Sequence, residues 1–128
     1  MLRSAIIGLG WWGRELIHRL EDNDRSQIVC GRDVNAGAAQ AFMEGRSLPL
    51  LSSYQDVLAR DDVDAVILTT PNGFHEEQVI AAAEANKQVF CEKPLTLTKA
   101  AAVRMINACE KAGRAGDRRR GGATPRRP

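Results

Sequence analysis

Three glycines stand in the order Gly8-Leu9-Gly10-Trp11-Trp12-Gly13, directly after the apolar run Ala5-Ile6-Ile7. The spacing GxGxxG alone is a weak signal. It gains meaning from a strand before it and a helix after it. Each glycine then answers its own steric need. Gly8 permits a tight turn, Gly10 lets a phosphate group come up against the backbone, and Gly13 lets helix and strand pack closely. The first turn of the helix offers unpaired N–H groups and partial positive charge to the phosphates. Leu9, Trp11 and Trp12 complete the loop. The two tryptophans fit either a cover over the bound molecule or packing against neighbouring loops.

A carboxylate belongs to the same pattern. Asp33 lies twenty residues after Gly13, at the end of a second apolar run. An acid there can accept hydrogen bonds from the hydroxyls of an adenosine ribose, so loop and acid together predict a dinucleotide site. Asp33 would repel a 2′-phosphate and favours NAD. Arg32 leaves NADP open, because a guanidinium can pair with that phosphate.

Two further segments carry chemistry-bearing residues. Thr69-Thr70-Pro71-Asn72-Gly73-Phe74-His75 follows a fourth apolar run, where open α/β sheets bind ligands at strand ends. His75-Glu76-Glu77 does not read as a metal cluster, since consecutive helical residues diverge and no second His follows four positions on. His75 reads as a helix-start residue near the cofactor, and no metal ligands are expected. Glu92-Lys93-Pro94 follows a fifth apolar run. A desolvated Lys there could polarise a hydroxyl or carbonyl beside a nicotinamide, with Glu92 moderating its pKa and Pro94 fixing the backbone. By residue type alone, the same three residues read as a surface turn.

The elements that must position these residues alternate regularly. Strands are predicted over 3–8, 27–33, 48–51, 64–69 and 88–91. Helices are predicted over 13–21, from an Asn35 cap to about Glu44, from a Ser53 cap to about Arg60, over 75–85, and from a Thr98 cap to about Ala112. Leu16, Ile17 and Leu20 share a face of the first helix. Asn86 tolerates the left-handed geometry that ends the fourth. Short loops between alternating elements imply an α/β, Rossmann-type doubly wound parallel sheet of about five strands with helices on both faces.

Composition narrows the class. The chain has 128 residues, 44% hydrophobic and 27% charged, which suits one globular domain. No apolar run approaches the roughly 20 residues that cross a bilayer, and no export signal is read, so a cytoplasmic protein without a membrane partner is expected. Cys30, Cys91 and Cys109 lie in apolar surroundings and read as reduced thiols. Residues 114–128 hold six Arg against one Asp, a net +5, which leaves residues 1–113 with 12 basic and 15 acidic residues, a net −3. The basic balance therefore belongs to an Arg/Gly/Pro-rich tail. The domain 1–113 gives no electrostatic reason to expect specific nucleic-acid binding. The tail, 114–128, has no apolar face and reads as disordered.

These segments together resemble the N-terminal domain of the Gfo/Idh/MocA oxidoreductase family. The matching stretches are Ala5-Ile6-Ile7-Gly8-Leu9-Gly10, Thr70-Pro71-Asn72 through His75, and Val89-Phe90-Cys91-Glu92-Lys93-Pro94-Leu95. The resemblance spans about residues 3–113. It implies NAD(P)-dependent chemistry on a hydroxyl of a small sugar, polyol or cyclic diol. It assigns Lys93 to substrate contact and catalysis, positioned by Glu92 and Pro94, and sets Pro71, Asn72 and His75 along the nicotinamide.

Members of that family continue into a sixth strand and a second domain that carries most of the substrate site. Here the text turns to low-complexity Arg, Gly, Pro and Ala after Gly113, as a shifted reading frame would produce. A truncated chain, inactive alone, is expected, and its open fifth strand would favour self-association. The competing reading is a non-catalytic nucleotide-binding module or scaffold with a basic tail. The Glu-Lys-Pro segment separates the two, because a pure sensor needs no lysine beside the nicotinamide.

Overall fold

The computed structural model describes residues 1–70, 74–91 and 99–119. The elements run β1 (Leu2–Ile7), α1 (Trp11–Leu20), β2 (Ser26–Arg32), α2 (Ala36–Glu44), α3 (Tyr54–Leu58), β3 (Ala65–Leu68), α4 (His75–Glu84), β4 (Gln88–Cys91) and α5 (Lys99–Arg119). The four strands form one parallel sheet in the order β2-β1-β3-β4. The chain thus starts in the middle of the sheet, builds outward to one edge, then returns past its own first strand and builds to the other. Such a reversal leaves a crevice at the carboxyl ends of the two central strands.

Both sheet faces are buried, as a doubly wound sheet requires. Ala5, Ile7, Cys30, Val66, Leu68 and Val89 form one apolar layer with Val57 of α3, Val79 and Ala82 of α4 and Met105 of α5. Ile6 and Ile28 form the other layer with Ile17 of α1 and Ala39 and Met43 of α2. Alternation along β1 sends Ala5 and Ile7 to one side and Ile6 to the other. The helix starts follow from local chemistry. The Asn35 side chain accepts from the Ala38 amide at 3.3 Å, and Ser53 Oγ from the Asp56 amide at 3.1 Å. Asn86, with φ of 62°, takes the left-handed conformation expected where α4 stops.

The structure departs from the sequence expectation in two places. The segment 48–51 is not a strand. It touches β2 through one parallel bridge, Gly31 to Leu50, made by Gly31 N–H to Pro49 O at 3.1 Å and Leu51 N–H to Gly31 O at 2.8 Å. Pro49 has no N–H to extend the ladder, which limits the pairing to that step. The second departure is α5, which continues to Arg119, six residues past the expected stop at Gly113. Arg and Ala are good helix formers, and an interior glycine costs only about 1 kcal/mol against Ala. Residues 120–128 and the Thr98 cap lie outside the described residues. Among the described residues, no helix is long and apolar enough to cross a membrane. Cys30 is buried and Cys91 and Cys109 are half-buried, all three as free thiols. Burial pushes the Cys30 thiol up to about 11.

Arg3 and Asp64 join the entrances of β1 and β3. The Arg3 guanidinium grips the carboxylate through Nε and Nη2, each at 3.0 Å, and the Arg3 amide adds a bond of 2.9 Å. In return the Asp64 amide donates to the Arg3 carbonyl at 2.7 Å. The side-chain bonds from Arg3 outweigh desolvation and hold the Asp64 carboxyl below its ordinary value. A carboxylate lowered in the folded state contributes fully above the ordinary pKa of about 3.9 and loses its contribution as pH falls through the lowered value. Asp64→Asn should therefore lower Tm at neutral pH and flatten the fall of Tm between about pH 5 and about pH 2. Thermal melts across that range check this; an acid limb of the same steepness in both proteins would refute it.

Candidate dinucleotide-binding site

The glycine loop sits where the sheet order reverses, between the end of β1 and the start of α1. Gly8 has φ of 101°, a conformation that favours glycine, and a Cβ there would meet Thr69 Oγ1 at 2.8 Å and the Thr69 carbonyl oxygen at 2.9 Å. Gly13 is under a harder constraint. A Cβ on it would lie 2.0 Å from the Gly8 carbonyl oxygen, so α1 can pass β1 only because the residue is glycine. Gly10 contrasts with both. A Cβ on Gly10 would meet nothing within 4 Å. Among the described residues there is no packing reason for glycine there, and a ligand could approach the backbone through that space.

Hydrogen bonds fix the loop on each side. The Gly8 amide donates to the Arg32 carbonyl at 2.9 Å, and the Leu9 amide to Asp33 Oδ2 at 2.5 Å. Thr69 Oγ1 donates to the Gly8 carbonyl at 2.7 Å. Arg14 Nε donates to the Leu9 carbonyl at 2.8 Å. Gly10 is the N-cap of α1 and supplies no side-chain cap, and the first turn of α1 holds no acidic residue. The first amides of a helix have no partner within it, so this end of α1 suits an anion.

The predicted residues fall out as follows. Gly8, Leu9, Gly10, Trp11, Trp12, Gly13 and Asp33 converge at one end of the sheet. The Asp33 carboxylate reaches both neighbouring segments, since its Oδ1 also accepts from the Asn35 amide at 2.7 Å. Each oxygen retains a second lone pair for a ribose hydroxyl. Arg32 is half-buried, and its Nε, shielded from solvent, has no hydrogen-bond partner among the described residues. Trp11 is 77% exposed, and its ring stacks on that of Trp12 with centroids 5.9 Å apart. Arg19 lies over the Trp12 ring at 5.3 Å.

His75 is buried, with 1% of its surface exposed, and its Nε2 lies 2.7 Å from the Thr70 carbonyl oxygen. The imidazole thus holds the residue that leaves β3. Thr70 Oγ1 donates to Gln78 Oε1 at 2.5 Å, and Tyr54 Oη to the Gln78 carbonyl at 2.7 Å, so α3 and α4 both brace that exit. Pro71, Asn72, Glu92, Lys93 and Pro94 lie outside the described residues. Sequence reasoning placed Thr69 in the loop after the fourth strand without giving it a role, and did not single out Arg14. The signal for Arg14 was present: an arginine directly after the third glycine. Among the described residues, no three His, Cys, Asp or Glu side chains gather as a metal site would need. An open hollow of about 520 Å³, lined by Met1, Leu20, Ser26 and Arg46 among others, lies at the opposite end of the sheet, where β1 and β2 begin.

Known proteins share this arrangement. The family model for Gfo/Idh/MocA, described as an oxidoreductase family with an NAD-binding Rossmann fold, matches residues 2–116. The chain is 36% identical over 116 residues to inositol 2-dehydrogenase of Salmonella typhimurium, covering 88% of this chain and 34% of that one. It is 37% identical over 115 residues to 2,7-anhydro-N-acetylneuraminate hydratase of Escherichia coli, covering 88% and 30%. Among solved structures, the WlbA dehydrogenase of Bordetella pertussis, crystallised with NADH and UDP-GlcNAcA, matches with a TM-score of 0.82 and 34% identity. That match covers 88% of this chain and 33% of WlbA. A probable dehydrogenase from Thermotoga maritima matches with a TM-score of 0.83 and 34% identity, covering 87% and 34%. The chain spans about a third of the length of these relatives.

The glycine contacts predict opposite outcomes for two substitutions. Gly13→Ala should cost about 3 kcal/mol of stability, the upper range for an overpacked site. Gly10→Val should stay within about 1 kcal/mol of the parent, the scale of an N-cap change, yet abolish NADH binding by filling the space over the backbone. Thermal melts with NADH titrations check both. Parental affinity in a folded Gly10→Val protein would refute the placement of the phosphates, and a Gly13→Ala protein that melts with the parent would refute the close approach of α1 to Gly8.

Proposed function

This chain belongs to the Gfo/Idh/MocA oxidoreductase family, and from that premise we propose that its Gly8–Gly13 loop takes the pyrophosphate of NAD and its Asp33 carboxylate takes the adenosine ribose. The observation that carries this reading is the contrast among the glycines. Gly8 and Gly13 are demanded by contacts of 2.8 Å and 2.0 Å, whereas Gly10 faces open space at the start of α1. A loop that only joined strand to helix would need the first two and not the third.

The residues at the site divide the work. The amides at the start of α1 meet the phosphates, and the Asp33 oxygens meet the 2′- and 3′-hydroxyls. Bound NAD supplies a hydride acceptor, or a donor when reduced. Thr70, held by His75 and Gln78, borders the nicotinamide half together with Pro71 and Asn72. Lys93, set by Glu92 and Pro94, moves the proton of the substrate hydroxyl. The substrate class is a sugar, polyol or cyclic diol, in keeping with the inositol and sialic-acid names of the relatives.

NAD should bind more tightly than NADP, because a 2′-phosphate beside Asp33 would set like charges together. Asp33→Ser should reverse or erase that preference. Calorimetric titration of the parent with NAD⁺, NADH, NADP⁺ and NADPH tests the reading. Tighter binding of NADP⁺ than NAD⁺ would show that Arg32 governs the site, and no binding of any of the four would overturn the proposal.

Turnover depends on more than one positioned base, since general acid–base catalysis gives only about 10²–10⁴-fold. Holding the substrate against the nicotinamide supplies much of the rest. These 128 residues should therefore bind the cofactor and show negligible turnover with sugars, polyols and cyclic diols, followed by absorbance of the reduced cofactor. A rate above about 1 s⁻¹, the low end of enzyme turnover, that disappears in Lys93→Ala would contradict this.

A further inference from the structure

The backbone of Leu9 is held on both sides, through two successive peptide units. Its N–H donates to Asp33 Oδ2 at 2.5 Å, and its C=O accepts from Arg14 Nε at 2.8 Å. Arg14 also donates from Nη2 to the Ala38 carbonyl in α2 at 2.9 Å, and its guanidinium lies 5.3 Å from the centroid of the Phe42 ring. One side chain on α1 thus ties the glycine loop to the helix that follows β2. We propose that Arg14 is a positioning residue for the dinucleotide, presetting the Leu9–Gly10 peptide so that the loop receives the phosphates without first having to be ordered. The inference rests on the dinucleotide reading above.

The argument is geometric. In a planar trans peptide, C=O and the following N–H point in opposite directions. A Leu9 carbonyl committed to Arg14 therefore turns the Gly10 N–H away from Arg14. Were the peptide to rotate, a carbonyl oxygen would face the incoming phosphates in place of an amide, and like partial charges would meet. Gly10 has no side chain to resist that rotation, and a Cβ on it would have no neighbour within 4 Å to pack against. Resistance must come from hydrogen bonds, and Arg14 makes the one on the carbonyl side. Ordering a loop on binding weakens affinity by the cost of that ordering, so an anchor present beforehand raises it.

Arginine is suited to the task by shape as well as charge. Two donors of one rigid plane reach two carbonyls on different elements, and the same plane lies over an aromatic ring. A lysine would keep the positive charge near the phosphates and lose the fork. This difference separates positioning from simple attraction.

The test compares Arg14→Lys, Arg14→Met and the parent by NADH titration, thermal melting and the ¹⁵N order parameter of the Gly10 amide without ligand. Both variants should bind NADH about tenfold more weakly, the scale of one charge-assisted hydrogen bond, with a lower order parameter at Gly10. Arg14→Gln takes the place of either variant that does not fold. Parental affinity in Arg14→Lys would overturn the proposal in favour of charge alone. Weakened binding with an unchanged order parameter at Gly10 would overturn it as well. If the parent itself does not bind NADH, the failure belongs to the dinucleotide reading and not to Arg14.

Discussion

The approach of α1 to the end of β1 sets the terms for the rest of the molecule. At Gly13 the helix passes so close to the strand that a single added carbon would sit 2.0 Å from the Gly8 carbonyl. That closeness places the first turn of α1 over the carboxyl ends of the central strands. It also forces the turn between them to be tight, which Gly8 meets with φ of 101° and Thr69 reinforces by binding the Gly8 carbonyl. Moving α1 outward to admit a side chain at 13 would break the Thr69 bond, pull Ile17 from the core layer it shares with Ile6, and turn the helix end off the crevice. Packing and binding therefore rest on the same contact.

Charge is organised around that contact. The start of α1 is a source of positive potential that needs no side chain. No carboxylate lies in the first turn of α1 to neutralise it, while Asn35 and Ser53 cap α2 and α3 with uncharged groups. The acid that does lie close, Asp33, is committed to two backbone amides, those of Leu9 and Asn35. It holds the loop to the start of α2 and still keeps lone pairs for hydroxyls. A neutral Asn in its place would offer one acceptor oxygen and turn an NH₂ group toward a backbone N–H, losing one of the two bonds. The two accepted bonds are reason enough for a carboxylate at the position.

What was legible in the sequence follows from how local each feature is. The glycine spacing, the Asn35 and Ser53 caps and the Asn86 turn depend on a few adjacent residues, and the structure shows each of them in its expected geometry. The outer strand at 48–51 was not legible, because strand formation depends on a partner. Four residues with apolar character read as a strand, yet Pro49 and a single Gly31 bridge leave only one step of pairing. The stop of the last helix at Gly113 failed for a related reason: a glycine ends a helix only when the residues after it prefer to leave, and Arg and Ala do not. His75 was placed near the cofactor from its position after Pro71-Asn72, and burial was invisible at that level. Its role as a brace on the Thr70 carbonyl needs the fold of α4 against β3.

The two layers of the core are unequal, and register explains the difference. Ile6, Ile67 and Phe90 are aligned across β1, β3 and β4 on one face of the sheet. Helices α1 and α2 cover that face over β1 and β2, so Ile6 is fully buried, Ile67 is partly buried, and Phe90 is 48% exposed. On the opposite face α4 packs on β4, with α5 packed on α4 in turn, and Val89 is buried with 9% of its surface exposed. Protection therefore decreases from the crevice outward on one face only. The glycine loop, Asp33 and Arg14 belong to the well-covered half, where α1 and α2 pack on β1 and β2. Thr70 stands at the boundary, and for that reason its hold comes from buried hydrogen bonds to α4 rather than from apolar packing. A single crevice is thus built on two kinds of support, close packing beneath the glycine loop and a hydrogen-bonded brace at the exit of β3.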